Sequence, residues 1–158
     1  MTQPAPPPPP APPPPAPPMA VGPSGPRAGF GPRLLAVIID TILILVVAAI
    51  AFAINDVLGY LVYLVLGLGY YGYFEGSPSG QTVGKKAMSI RVVDFNTGGP
   101  IGYGRGFIRW LGKLISGIPC YLGYLWMLWD REKQTWHDKI ATTVVVPESS
   151  YPVAKWPG

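Results

Sequence analysis

Hydrophobic residues are concentrated in two long stretches near the middle of the chain. The first covers residues 34–54 and is interrupted only by Asp40 and Thr41, so as a helix it can cross a hydrocarbon layer of about 30 Å. The second covers residues 57–74 and contains no charged residue. Because only two residues separate the stretches, the pattern predicts an antiparallel transmembrane hairpin.

A third apolar stretch, residues 106–129, has a different pattern. Arg105, Arg109 and Lys113 recur at intervals of four and therefore share one face of a helix, while apolar residues occupy the other. This arrangement is typical of an amphipathic interfacial helix. Two alternatives follow: residues 114–129 form a short third span, or the stretch bends back and the C-terminus stays on the side of the central loop.

Two extended segments favour the second alternative. Residues 88–93 alternate in polarity and residues 140–146 are rich in β-branched side chains, so each predicts a strand. The strands can pair only if both lie on one side of the membrane. The predicted fold class is an all-α membrane protein: a two-helix transmembrane hairpin, a third apolar segment that is a short span or an interfacial or re-entrant helix, and a small cytoplasmic β element.

Composition divides the chain into three parts. Residues 1–27 hold 14 of the 21 prolines and no apolar periodicity, which predicts a disordered proline-rich head. Residues 28–147 contain the apolar stretches and form the expected membrane domain. Residues 148–158 are expected to be a flexible tail.

Basic residues set the predicted orientation. They precede the hairpin and follow it, but its tip has none, so the N-terminus and the central loop are expected on the cytoplasmic side of a bacterial plasma membrane. The net charge of +4 suits anionic lipid headgroups and, without a dense basic run, not a nucleic acid. Headgroup contacts are expected from Lys85, Lys86, Arg105, Arg109 and Lys113.

The sequence contains few residues from which a catalytic or metal site can be built. One histidine and one cysteine cannot build a multi-ligand metal site or a disulfide within the chain. His137 stands beside Asp138 but has no positioned nucleophile, so the pair is interpreted as an interfacial anchor. We therefore expect no enzymatic activity, no catalytic residue, no metal and no cofactor.

Asp40 is the most informative polar residue, because a carboxylate at this depth is costly unless it is paired or faces water. Arg33 lies seven residues earlier and shares its helix face. Arg109 and Lys113 are further candidate partners from the third stretch. Asp40 is then either half of an ion pair that locks helices together or a site for a proton or cation.

Three segments carry a family resemblance. GPRLLA at residues 31–36 leads to Asp40, GQTVGK at residues 80–85 leads to IRVVD, and WHDKIA begins at Trp136. Together they resemble the RDD family of small membrane proteins over residues 28–147. The arginine and two aspartates that name the family correspond to Arg33, Asp40 and Asp138. The resemblance implies a membrane protein, for which transport has been suggested and sodium or proton antiport associated with some relatives.

Two functional hypotheses follow. In the first, the protein is a non-catalytic accessory or assembly subunit of a larger plasma-membrane complex. The leading candidate is the respiratory supercomplex, because a proline-rich head on such a core is similar to proline-rich membrane proteins of actinobacteria, including an accessory factor of that assembly. In the second, several copies form an ion or small-solute transporter, such as a cation/proton antiporter, through Asp40.

Overall fold

The computed structural model describes residues 25–157. Most of this region is helical, and one small sheet is built from two strands distant in sequence. A short 3-10 turn, Trp126–Leu128, follows the fifth helix. In chain order the elements are α1 (Phe30–Ile54), α2 (Asp56–Gly76), α3 (Val83–Ala87), β1 (Ile90–Asp94), α4 (Gly102–Gly117), α5 (Leu122–Leu125), α6 (Trp136–Ile140) and β2 (Thr143–Pro147).

Helices α1 and α2 form the predicted hairpin, and both are long and apolar enough to cross a membrane. Asn55 makes the turn between them. Its backbone is extended, and its side-chain oxygen accepts hydrogen bonds from the backbone nitrogens of Val57 at 2.8 Å and Leu58 at 3.2 Å. This cap satisfies two of the free N–H groups at the start of α2.

The third apolar stretch is divided between several elements. Helix α4 packs along α2, where Gly106 lies so close that a Cβ atom would be 2.7 Å from the carbonyl oxygen of Gly72. The chain then reverses after α4, with Cys120 and Tyr121 at positive φ angles of 50° and 62°. Helix α5 returns against α4, with Gly123 facing Ser116.

Strands β1 and β2 are antiparallel, with Val92 opposite Val145. The pairing confirms that both predicted strands exist and join one sheet. Successive side chains point to opposite faces of a strand. One face packs with Ala36 of α1 through Val92 and Val145, while the other contacts Phe95 and Tyr151.

The C-terminal segment, which composition indicated to be flexible, makes specific contacts. The ring of Trp156 stacks on Phe74 of α2 with centroids 5.5 Å apart, and its indole nitrogen donates to the carbonyl oxygen of Gln81 at 3.1 Å. The ammonium group of Lys86 lies 4.1 Å from the centre of the same ring. Residues 1–24, which hold most of the predicted disordered head, lie outside the described residues.

Candidate functional site: two buried polar clusters

Asp138 connects two arginines from different helices. Its carboxylate accepts from Nη1 of Arg33 in α1 at 2.7 Å and also from Arg109 in α4. Asp138 is held in place by a capping box at the start of α6, in which Thr135 and Asp138 exchange side-chain to backbone hydrogen bonds. Arg109 also donates to the hydroxyl of Thr143 at the start of β2. The cluster therefore joins α1, α4, α6 and the sheet.

Glu75, at the end of α2, is surrounded by three cations. Its Oε1 atom accepts from Nζ of both Lys85 and Lys113 at 2.7 Å, and its Oε2 atom accepts from Nε of Arg109 at 2.9 Å. Nζ of Lys113 also lies 3.5 Å from the centre of the Tyr71 ring. Since Arg109 contacts both Glu75 and Asp138, the two carboxylates belong to one network, which we call the charge network. Its members are Arg33, Glu75, Lys85, Arg109, Lys113 and Asp138.

Burial and the charges of neighbouring side chains shift the pKa values of this network in opposite directions. Burial alone would raise the pKa of Asp138, but the charges of Arg109 and Arg33 hold it far below its usual range. Burial lowers the pKa of Lys113 to about 7 despite the opposing charge of Glu75, with Lys85 and Arg109 adding to the decrease. At neutral pH Asp138 is therefore an anion.

His137 is buried beside the charge network. Its Nε2 atom lies 2.9 Å from the hydroxyl of Thr135, and its Nδ1 atom lies 3.4 Å from the hydroxyl of Ser116. Burial lowers the pKa of His137 to about 3, with the attraction of Asp138 outweighed. The imidazole is therefore neutral at physiological pH and joins α4 to α6 through hydrogen bonds.

Asp40 lies in a second cluster, which is built from neutral donors. Its Oδ1 atom accepts from the hydroxyl of Tyr70 and the backbone nitrogen of Gly84, and its Oδ2 atom accepts from the hydroxyl of Thr82, all at 2.7 Å. We call this the Asp40 cluster. It binds α1 to α2 and to the start of α3.

Close backbone contact makes the Asp40 cluster possible. A Cβ atom on Gly84 would lie 2.2 Å from the carbonyl oxygen of Ala36 and 2.8 Å from Oδ1 of Asp40. Gly80 has a φ angle of +63°, and a Cβ atom there would lie 2.2 Å from the carbonyl oxygen of Val92. The two glycines of the GQTVGK segment thus let this loop pass between α1 and β1.

The structure corrects the expected partners of Asp40. Arg33 does not pair with it but with Asp138, 105 residues further along the chain. Arg109 and Lys113 bind Glu75 instead. Of the three residues matching the family motif, Arg33 and Asp138 therefore come together, while Asp40 belongs to the other cluster.

The expected headgroup contacts need a similar correction. Lys85, Arg109 and Lys113 are directed into the charge network, so in this structure their charges are used within the protein. Arg105 forms an ion pair with Asp94. Lys86 is exposed, and its contact with lipid stays a prediction.

The sequence interpretation missed Glu75, Tyr70 and Thr82. Glu75 follows an apolar span directly, and three basic residues spaced by four in the third stretch needed an acidic partner, so a signal for Glu75 was present. Tyr70 and Thr82 carried no comparable signal, because an aromatic belt or a loop accounts for them equally well.

Two apolar helices with a buried charge network at one end define a small helical membrane protein. The chain belongs to the RDD family, whose family model matches residues 27–142. This finding confirms the resemblance seen in the three sequence segments.

Several curated proteins share part of this domain. The proline-rich antigen homolog of Mycobacterium tuberculosis is 45% identical over 89 residues, which cover 56% of this chain and 35% of that protein. The proline-rich antigen of Mycobacterium leprae is 42% identical over 77 residues, which cover 49% and 30% respectively. The uncharacterized protein YxaI of Bacillus subtilis is 35% identical over 86 residues, which cover 54% and 56%.

The matches span about a third of the mycobacterial relatives and just over half of the Bacillus relative. No solved structure matches the chain.

Proposed function

We propose that the protein is a non-catalytic accessory or assembly subunit of a larger plasma-membrane complex. The observation that carries this proposal is the hydrogen bonding of Asp40. Its two carboxylate oxygens accept three short hydrogen bonds from within the chain. A carboxylate that relays cations needs access to water, whereas Asp40 is fully buried within the described residues. The bonds to Tyr70, Thr82 and Gly84 instead suit a residue that fixes the positions of α1, α2 and α3.

The charge network supports the same proposal. Glu75 and Asp138 have no solvent exposure, and each is bound by at least two cationic side chains. Such a network is costly to break, since removing one partner leaves an uncompensated buried charge. It is suited to holding helices in one arrangement.

Chain topology supports a cytoplasmic location for both ends of the described region. The pairing of β1 with β2 requires the central loop and the segment after α6 to lie on one side of the membrane. The basic residues that flank the hairpin favour the cytoplasmic side of a bacterial plasma membrane. On this proposal, α4 and α5 form a re-entrant unit and do not span.

The outer surfaces of the helices supply the proposed contact area. Large apolar side chains are exposed along α1 and α2, including Val46 and Val65. These surfaces fit lipid chains and the transmembrane helices of a larger protein. The respiratory supercomplex stays the leading candidate partner, on the similarity of the proline-rich head to actinobacterial proline-rich membrane proteins.

Purification in a mild detergent tests this proposal. The protein, carrying an affinity tag and expressed at its natural level, should co-purify with larger membrane subunits, and haem absorption in the eluate would identify respiratory proteins among them. A parallel preparation from cells with untagged protein is the control for nonspecific capture. A homogeneous self-oligomer without other subunits would contradict the accessory role and favour transport through Asp40.

A further inference from the structure

Lys85 and Lys113 direct their amino groups to the same oxygen atom of Glu75. Both Nζ atoms lie 2.7 Å from Oε1, so they are no more than twice that distance apart. The other carboxylate oxygen accepts from Nε of Arg109 at 2.9 Å. Like charges this close repel, and each favours the loss of a proton from its neighbour.

The charge network contains more basic than acidic groups. With every group charged, four basic side chains share the carboxylates of Glu75 and Asp138, which leaves two surplus positive charges. Asp40, the other fully buried acid among residues 25–157, is bound by neutral donors in a separate cluster. Surplus charge is costly in a buried site, so loss of one proton from a basic group relieves it.

Lys113 is the group best placed to lose this proton. Arginine keeps its proton in proteins, which leaves the two lysines. The side chain of Lys113 is 12% exposed, against 7% for Lys85, so Lys113 has the better contact with solvent. Burial lowers the pKa of Lys113 to about 7. The charges of Lys85 and Arg109 add to this decrease, whereas the charge of Glu75 opposes it.

The surroundings of Lys113 contain groups that favour each of its two states. The titratable and charged groups that face it are Glu75 and Tyr71 of α2, Lys85 of α3, Arg109 of α4, Tyr124 of α5 and His137 of α6. The carboxylate and the aromatic ring favour the ammonium form, while the two cations favour the neutral amine. His137 is neutral at physiological pH, and Tyr124 donates to the backbone carbonyl oxygen of Lys113 at 3.1 Å.

We propose that Lys113 and Glu75 form a proton-binding site that makes the contact of α4 with α2 and α3 dependent on pH. As the solution becomes more acidic, Lys113 takes up one proton from solvent, and the new charge is repelled by Lys85 and Arg109. As the solution becomes more alkaline, the proton is released, and the neutral amine can still donate a hydrogen bond to Glu75. The site works in the same way whether or not the protein binds a larger complex.

Carbon-13 NMR of the full-length protein in detergent tests the proposal. Lysine is labelled at Cε, and the Lys113 signal is identified by its absence from Lys113→Arg. In the wild-type protein this signal should titrate with a midpoint near pH 7, whereas exposed lysines should titrate at about pH 10.4. A midpoint for Lys113 outside the range from about pH 6 to about pH 8 would overturn the proposal.

Two neighbouring lysines provide a matched pair of variants. Lys85→Met removes the second amino group on Oε1 of Glu75, so the titration midpoint of Lys113 should rise by about one pH unit or more. Lys86→Met is the control, because Lys86 is exposed and lies over the ring of Trp156, and it should leave the midpoint unchanged. Equal midpoints in the two variants would show that the shared oxygen does not control Lys113.

The pH dependence of unfolding shows whether this proton affects the fold. The pKa of Lys113 is about 7 in the folded protein, against about 10.4 in an unfolded chain. Between these values the unfolded chain binds a proton that the folded protein does not, so stability should rise with pH. Denaturant unfolding in detergent, from about pH 7 to about pH 9, should give an unfolding equilibrium constant that falls by up to about tenfold per pH unit.

Lys113→Arg should remove this contribution, because its charge is permanent in the folded and unfolded states. Lys113→Met also lacks a titratable group at this position and replaces Lys113→Arg if that variant does not fold. Lys86→Met should keep the wild-type dependence on pH. The same dependence in the wild-type protein and in either Lys113 variant would contradict the proton-binding site.

Discussion

Asp40 and Asp138 are both fully buried, but their partners differ in kind. Asp138 is bound by two guanidinium groups, whereas Asp40 is bound by two hydroxyl groups and one backbone N–H. Hydrogen bonds to a charged group contribute about 1.5–3 kcal/mol each. The Asp40 cluster therefore stabilises the packing of α1 against α2 and α3 even without a cationic partner.

Replacing Asp40 by Asn should destabilise the protein by at least about 2 kcal/mol, because the new amide turns an N–H group toward existing donors. Membrane abundance and the unfolding midpoint in detergent measure this effect. Asp56→Asn is the matched control, since Asp56 is exposed at the hairpin tip and should change little. Normal abundance of Asp40→Asn together with lost salt or pH tolerance would instead support transport.

The buried His137 makes the free energy of unfolding depend on pH. Its pKa is about 3 in the folded protein, against about 6.5 in an unfolded chain. As the pH falls below about 6.5, the unfolded chain binds a proton that the folded protein does not, so stability decreases toward pH 3 by up to about 1.4 kcal/mol per unit. Denaturant unfolding in detergent between pH 7 and pH 4.5 measures this slope.

His137→Gln should flatten the slope in that range. The chain has one histidine, and other groups such as Asp138, below about pH 5, and Lys113, near pH 7, titrate in both proteins alike, so the difference between the two slopes reports His137. An unchanged slope in the variant would show that His137 is protonated or exposed in the folded protein.

At the residue scale, sequence analysis identified important positions more reliably than their partners. Depth in an apolar stretch was enough to single out Asp40. Its contact with Thr82 joins residues 42 positions apart, and the contact of Arg33 with Asp138 joins residues 105 positions apart. Such pairs depend on how α3 and α6 return to α1, which helical periodicity does not encode.

Helix α4 shows how an amphipathic pattern can be interpreted with the wrong orientation. The sequence placed the basic face at lipid headgroups, but the structure turns Arg109 and Lys113 toward Glu75. Apolar residues of the opposite face are 40–50% exposed, including Ile108 and Leu114. Periodicity defines two faces of a helix, whereas only the neighbouring elements decide which face points inward.

The pairing in the charge network predicts strong non-additivity. Glu75→Gln should cost about 3 kcal/mol or more, because Lys85, Arg109 and Lys113 lose their shared carboxylate. Adding Lys113→Met should recover part of this loss, since it removes a buried amino group that has lost its carboxylate partner. A double-mutant cycle on unfolding in detergent should therefore give a coupling of at least about 1 kcal/mol.

Leu114→Met is the control for the Lys113 substitution, because Leu114 lies on the exposed apolar face of α4. Combined with Glu75→Gln, it should give additive effects. Additivity of Glu75→Gln with Lys113→Met as well would contradict the ion pair.

At the element scale, apolar length predicted α1 and α2, and β-branched content predicted β1 and β2. The break of the third stretch was visible in Gly117 and Pro119. The path of the chain after this break could not be predicted from the sequence. It depends on the contact of Gly123 with Ser116 and on the packing of α6 against Gly112.

Across the whole molecule, long-range contacts close one end of the hairpin. The charge network, the sheet and the Trp156 contact with Phe74 all connect the start or end of the apolar helices to distant parts of the chain. By comparison, the described contacts at the hairpin tip are local ones between α1 and α2, namely the Asn55 cap and the edge-to-face packing of Phe52 on Tyr60. This asymmetry indicates that the end of the hairpin that carries the sheet is the more rigid one.

The central claim is that the hairpin tip is outside the cell while the sheet and the following segment are inside. Single cysteines at Asp56 and Ser149, both exposed, are introduced into a Cys120→Ser background and labelled with a membrane-impermeant maleimide. In intact cells the Asp56→Cys protein should be labelled, and the Ser149→Cys protein should be labelled only after permeabilisation. Labelling of Ser149→Cys in intact cells would contradict the account.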